Sequence, residues 1–245
     1  MERVFKVVMI GGVGSGKTSL RNYLLYGNYT GKYTPTTNSD FVSTHITLSS
    51  QEMIAIQIWD TCESSSELLT THSLLQDADG VMLVCDGANS ASLQALERHL
   101  PAIDTISKSR RGGLPVMLVR TKSDMVGADG ERLNAGCKAS KEFCLQRLCV
   151  DDIRCVTTSA REGRDVALAF QTMSELCYEH WCSTAELTPE PPDEMLKARP
   201  SRHGDPIAYY PFDYDGSLGT KPRFPPRGSR AGRLKGRLCR FFCLA

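Results

Sequence analysis

Val7-Val8-Met9-Ile10-Gly11-Gly12-Val13-Gly14-Ser15-Gly16-Lys17-Thr18 is the stretch on which the reading of this chain turns. An apolar run ends in a glycine-rich loop closed by Gly-Lys-Thr. Gly11 opens the pattern G-x-x-x-x-G-K-[ST], and Gly16, Lys17 and Thr18 complete it. Glycines let backbone N–H groups turn inward around a phosphate with no side chain in the way. The Lys17 ammonium suits the β- and γ-phosphates, the Thr18 hydroxyl suits Mg²⁺, and a helix opening here points its positive end at the anion. Val13, Gly14, Ser15 and Ser19 belong to the same candidate site. A chance glycine-rich turn is the alternative, but the motif needs a preceding strand and a following helix, and the sequence carries both. Residues 3–10 read as a strand and residues 18–26 as a helix.

The composition suits one globular domain with chain to spare, at 245 residues and 41% hydrophobic. The formal net charge of +1 is unevenly spread. From Gly216 onward there are eight basic residues and no acidic one, so the remainder is acidic and the end is a basic tail. Ten cysteines show neither metal-ligand spacing nor paired C-x-x-C units. Cys85 and Cys155 lie in apolar runs and read as buried, reduced thiols. The start, Met1-Glu2-Arg3-Val4, lacks a signal-peptide layout, and no apolar run is long enough to span a bilayer. A reducing, cytosolic setting is therefore expected, in which the sequon Asn28-Tyr29-Thr30 is irrelevant. The five histidines are dispersed, which favours surface or core roles over metal ligation.

Apolar strand-like runs alternate with helical patterns. Residues 41–48 and 53–59 lie close enough for a hairpin through Ser49-Ser50-Gln51. Residues 80–85, 114–120 and 153–157 are short and apolar, as strands buried on both faces should be. Residues 90–107, 135–149 and 163–181 read as helices. The alternation predicts an α/β fold with a mostly parallel sheet covered on both faces, which binds its ligand at the carboxyl ends of the strands. Beyond Trp181 periodicity disappears, and nine of the twelve prolines lie within residues 189–226. The expected organisation is a domain over residues 1–182 and a Pro/Gly/Arg-rich tail over residues 183–245, disordered by composition.

Three further motifs fall at strand ends. In Ile58-Trp59-Asp60-Thr61, Asp60 can support Mg²⁺ through water. In Thr121-Lys122-Ser123-Asp124, Asp124 can accept both N–H groups of a guanine edge while the Lys122 stem packs along the base plane. In Thr158-Ser159-Ala160-Arg161, a backbone N–H can reach the guanine oxygen. Each string is short, but their order after the glycine-rich loop is specific.

Over residues 3–181 the chain resembles a Ras-superfamily small GTPase, nearest the Rab-like branch. The Rab-like cues are Gln57-Ile58-Trp59-Asp60-Thr61, Pro35-Thr36 and Asp40-Phe41. The resemblance implies a P-loop NTPase G domain with a six-stranded sheet, binding GTP or GDP with Mg²⁺. It makes Thr36 the switch threonine that ligates Mg²⁺ beside Thr18. Tyr29 becomes the aromatic edge against guanine, and Tyr33 the tyrosine that closes over the phosphates. Effectors and regulators would meet the two switches, and a monomer peripheral to the cytosolic face of a membrane is expected.

The departures matter as much. Glu63 stands where the family's Asp-x-x-Gly-Gln has its glycine, and a side chain restricts that turn. Ser64 replaces the glutamine that orients the attacking water, so hydrolysis should be slow. Val13 alone decides little, because Rab-like members often lack glycine there. Thr121 replaces the asparagine that ties the base loop to the phosphate loop, at a cost of about one hydrogen bond, roughly 1 kcal/mol. A pseudo-GTPase scaffold without productive hydrolysis is the alternative function, motivated by Glu63. In the tail, basic residues mixed with Leu and Phe suit an anionic membrane surface, and Cys239 and Cys243 are candidate lipidation sites without a C-a-a-X box. The same basic segment permits weak, salt-sensitive nucleic-acid binding, but the tail has no folded reading element, so nucleic acid is not an expected partner.

Overall fold

The computed structural model describes residues 3–32, 34–62, 68–126, 130–150 and 152–185. The strand β1 (Val4–Ile10) is central. It pairs in parallel with β3 (Met53–Asp60) on one edge and with β4 (Gly80–Asp86) on the other. Beyond β4 lie β5 (Val116–Thr121) and β6 (Arg154–Thr157), both parallel, while β2 (Asp40–Thr47) runs antiparallel to β3. The six-stranded order is β2-β3-β1-β4-β5-β6, so the predicted α/β class and the hairpin both hold. Strand order reverses around β1, which puts the loop after it in the crevice where such sheets bind ligands.

Alternation along β1 divides the core. Val7 and Met9 join Leu20 of α1 (Lys17–Tyr26) and Phe170 and Met173 of α7 (Val166–Ala185). Val8 and Ile10 join Leu75 of α2 (Leu68–Gln76), Leu100 and Ile103 of α4 (Leu100–Ser109) and Cys144 of α6 (Gly130–Leu145). All are buried, and each such apolar side chain contributes about 1.5–3 kcal/mol. Strand ends are thereby held rigidly, with α1 starting directly from the loop after β1.

Several boundaries differ from expectation. Residues 90–107 are two helices, α3 (Ser90–Gln94) and α4, because Pro101 stands in the first turn of α4 and cannot continue a helix arriving from α3. β5 starts after Pro115, which has no N–H for a ladder, although its carbonyl still accepts from Val81 N at 2.9 Å. α7 continues to Ala185, so the first residues assigned to the tail are helical. The helix α2 has no counterpart in the sequence reading. Its carboxyl end is held from α4's side by Arg110, whose guanidinium donates to the carbonyls of Leu75 (3.0 Å), Gln76 and Ala78. Tail residues 186–245 lie outside the described residues. Among the described residues no helix is long and apolar enough to cross a membrane.

Cys85 is a buried free thiol, its pKa pushed up to about 12 by desolvation. Cys155 corrects the expectation: it is disulfide-bonded to Cys137, because α6 packs against β6 and brings the two sulfurs together across 18 residues of sequence. Closing a loop of that length contributes about 3 kcal/mol. Reduction with dithiothreitol is expected to lower the unfolding free energy by about that amount in urea titrations, and Cys137→Ser should abolish the difference.

His99, in the turn before α4, is 7% exposed, and burial together with the Arg98 and Lys17 charges pushes its pKa down to about 4. A depressed histidine pKa means that the unfolded chain takes up the proton first. The stability from keeping His99 neutral is complete above about pH 6.5 and is lost as pH falls towards 4, by up to about 1.4 kcal/mol per unit. Denaturant titrations at stepped pH should show this slope, and His99→Gln should flatten it.

Candidate functional site

The strands end together on one edge of the sheet. Met9 of β1 is in register with Asp60 of β3, and Asp86 of β4 with Thr121 of β5. All four motifs therefore open onto one cleft. Gly11 leaves β1 so close to β4 that a Cβ there would sit 2.1 Å from the Val84 carbonyl oxygen. Gly16 has φ +102° and would bring a Cβ within 3.2 Å of Thr121 Oγ1. The loop thus tolerates no side chain at either of these positions.

Lys17 is 7% exposed, and its Nζ donates to the carbonyls of Gly11 (2.7 Å) and Gly12 (3.2 Å). These bonds hold the ammonium across the loop. Beyond it, three oxygen-bearing side chains converge from α1, β3 and the segment before β2. Thr18 Oγ1 donates to Asp60 Oδ2 at 2.6 Å and lies 2.8 Å from Thr36 Oγ1. Asp60 is fully buried, and its Oδ1 has no protein partner; the buried Ser15 Oγ beside the loop has none either. Burial pushes the Asp60 carboxyl above the ordinary carboxylate range, against the lowering effects of the Thr18 hydrogen bond and the Arg21 and Lys17 charges. Two hydroxyls and a carboxylate with an unpaired, water-excluded oxygen form the hard-oxygen set that Mg²⁺ takes, so the residues fit that ion.

The cleft has two adjoining chambers that share Gly16, Ser19, Tyr29, Thr30 and Lys122. The chamber of about 830 Å³ is lined by Val13, the loop and Thr36. The chamber of about 450 Å³ is lined by Asp124, Met125, Ala160 and Arg161, with Tyr29 opposite. Thr121 Oγ1 lies 2.5 Å from the Ser15 carbonyl and 3.2 Å from that of Cys85, so the threonine ties the base loop to the phosphate loop. Asp124 Oδ1 accepts from Ser159 Oγ at 2.7 Å, and Arg161 Nη1 lies 3.9 Å from its other oxygen.

The structure brings together Gly11, Val13, Gly14, Ser15, Gly16, Lys17, Thr18, Ser19, Tyr29, Thr36, Asp60, Thr121, Lys122, Asp124, Ser159, Ala160 and Arg161 around this cleft. Tyr33, Glu63 and Ser64 lie outside the described residues. Two supports escaped the sequence reading. Asp86 pairs with Lys122 Nζ at 2.7 Å and steadies the lysine, whose backbone is left-handed at φ 58°. Ser39 Oγ accepts from Cys62 N at 3.1 Å and joins the segment before β2 to the one after β3. An acid ending β4 was visible as a signal for the first, while nothing in the sequence signals the second.

A family model described as the Ras family matches residues 6–179, and the chain belongs to that family. It is 29% identical over 173 residues to the Ypt/Rab-type GTPase avaA of Emericella nidulans, covering 70% of this chain and 80% of that protein. It is 28% identical over 180 residues to the Ypt/Rab-type GTPase ypt7 of Schizosaccharomyces pombe, covering 73% and 84%. It is also 24% identical over 199 residues to the Ras-related protein Rab7A of Mesembryanthemum crystallinum, covering 81% and 93%. The chain is a Ras-superfamily small GTPase near the Rab branch, as its motifs imply.

Thr121→Val keeps the shape of the side chain and removes the hydroxyl that bridges the two loops. It should cost about 1 kcal/mol of unfolding free energy, and more if the Ser15 carbonyl stays dry, as read by chemical denaturation.

Proposed function

We propose that this chain is a GTP/GDP-binding switch that uses Mg²⁺ and hydrolyses GTP slowly. The observation that carries the reading is the meeting of Thr18, Thr36 and Asp60 beside the loop, with an orphaned Asp60 oxygen facing no protein donor. Gly11, Gly14, Ser15, Gly16 and Lys17 would cradle the phosphates, with Ser19 and Val13 at the edge of the cradle. Mg²⁺, held by Thr18 and Thr36 directly and by Asp60 through water, would neutralise the phosphate charge. Asp124 selects guanine, Lys122 and Tyr29 flank the base, and Thr121 keeps the two loops in register. Ser159, Ala160 and Arg161 close the base side, and Tyr33 would cover the phosphates.

Thr36 couples the phosphate end to the segment leading into β2, and the Ser39–Cys62 bond couples that segment to the start of the second switch. These ties support effector and regulator binding through the switches. Glu63 and Ser64 remove the family's water-positioning glutamine and the glycine before it, which supports weak hydrolysis. Glu63 also favours a second reading, a scaffold that holds nucleotide without cycling. Residues 1–182 would be the nucleotide domain, and residues 183–245 a tail. Its basic residues with Cys239 or Cys243 would hold a monomer peripherally on the cytosolic face of a membrane. Trafficking is the setting that a Rab-like chain implies.

Fluorescent mant-GDP binding tests the site. Lys17→Ala and Asp124→Asn should each weaken affinity by at least about tenfold, the worth of a charge-assisted hydrogen bond. Single-turnover hydrolysis tests the rest: the Glu63→Gly, Ser64→Gln pair should raise the rate by about tenfold or more by restoring a positioned water. Identical hydrogen exchange across residues 30–75 with GDP and a GTP analogue would favour the scaffold instead.

A further inference from the structure

Arg21 lies one helical turn after Thr18 on α1, on the same face of the helix. Its Nη1 is 3.6 Å from Asp60 Oδ2 and 3.5 Å from Asp40 Oδ2. The guanidinium is steadied further by Asn22, whose Oδ1 accepts from Nε and Nη2 at 3.3 Å each. The Arg21 side chain is 14% exposed, Asp60 is completely buried, and Asp40 is open to water at 70%. So the guanidinium lies between a buried carboxylate and an open one, and none of the roles given above for phosphate, metal or base requires a guanidinium at this place.

Asp60 Oδ2 already accepts the Thr18 hydroxyl, and its other oxygen has no protein partner. A buried carboxylate beside a polyphosphate repels it unless a cation stands between or behind them. In a site that relies on Mg²⁺ alone, removing the ion exposes the nucleotide to that repulsion at full strength. Here a permanent cation sits beside the carboxylate, 3.6 Å from the oxygen that Thr18 bonds. The guanidinium stays charged at every accessible pH and is held by two acids. It offsets the Asp60 charge when the divalent ion is gone, and it repels that ion when it is present.

We propose that Arg21 is a built-in counter-cation to Asp60 that reduces the dependence of nucleotide retention on Mg²⁺. It does not touch the nucleotide; it acts through Asp60. The inference deepens the guanine-nucleotide reading of the cleft and rests on it.

The test is mant-GDP release from the full chain, chased with unlabelled GDP, once in millimolar Mg²⁺ and once in excess EDTA. The quantity read is the ratio of the two release rates. Arg21→Met and Arg21→Gln should each raise that ratio by about tenfold, equivalent to about 1.4 kcal/mol, and lower the Mg²⁺ concentration for half-maximal retention. Arg21→Lys keeps the charge and should stay within about threefold of the unaltered protein. An unchanged ratio in a folded Arg21→Met or Arg21→Gln protein overturns the inference, as does an Arg21→Lys ratio that rises as far as theirs. The guanine-nucleotide reading survives both of those results. Failure of the unaltered protein to bind mant-GDP in Mg²⁺ overturns that reading, and the inference with it.

Discussion

Everything at the ligand edge depends on the confinement of β1. The strand is hydrogen-bonded along both edges and buried on both faces, so its end point cannot shift. Gly11 then passes the Val84 carbonyl with no room for a Cβ, and the loop is forced over the carboxyl ends of the neighbouring strands. Once there, its carbonyls meet the side chains of Lys17 and Thr121. Lys17 spans the loop through Gly11 and Gly12, and Thr121 fastens it to the base side through Ser15. A core constraint thereby becomes a constraint on the shape of the cleft.

The Thr18–Thr36–Asp60 end of the cleft follows another logic, one of buried charge. Asp60 has no solvent access and sits among hydroxyls, so its carboxylate is costly unless something cationic or a proton meets it. Burial raises its proton affinity, while Thr18, Arg21 and Lys17 pull it back towards ionisation. Thr36 arrives from a segment without regular secondary structure, held there by its position against the Thr18 hydroxyl. A loop thus meets an aspartate and a helix that the sheet and core hold in place. The Ser39–Cys62 bond extends this attachment to the segment that follows β3.

The departures from the family pattern divide by location. Thr121 retains the tie between loops that an asparagine provides elsewhere, because a hydroxyl at the same strand end still reaches the Ser15 carbonyl. Loop registry is thus kept by the chemistry of this chain. At Glu63 and Ser64 the sequence offers no such replacement for the family's glycine and glutamine.

The glycine-rich loop, the strand-end acids and the β-branched and apolar runs were legible directly, because each is a local pattern of residue types at set spacing. They determined the α/β class, the parallel sheet and most of the cleft. Local patterns could not show α2, whose Ser- and Thr-rich surroundings carry little helix preference and whose end is held by Arg110, 35 residues after Leu75. Nor could they show that Cys137 and Cys155 meet, that Asp86 steadies Lys122, or that Arg21 reaches Asp60. In each case the partners are distant in sequence and become neighbours only when strands pair or helices settle on the sheet. The chain's own order of residues determined which chemistry stands at each strand end. Tertiary packing decided which charges oppose one another there, because Coulombic and hydrogen-bonding energies depend on separation in space and on exclusion of water.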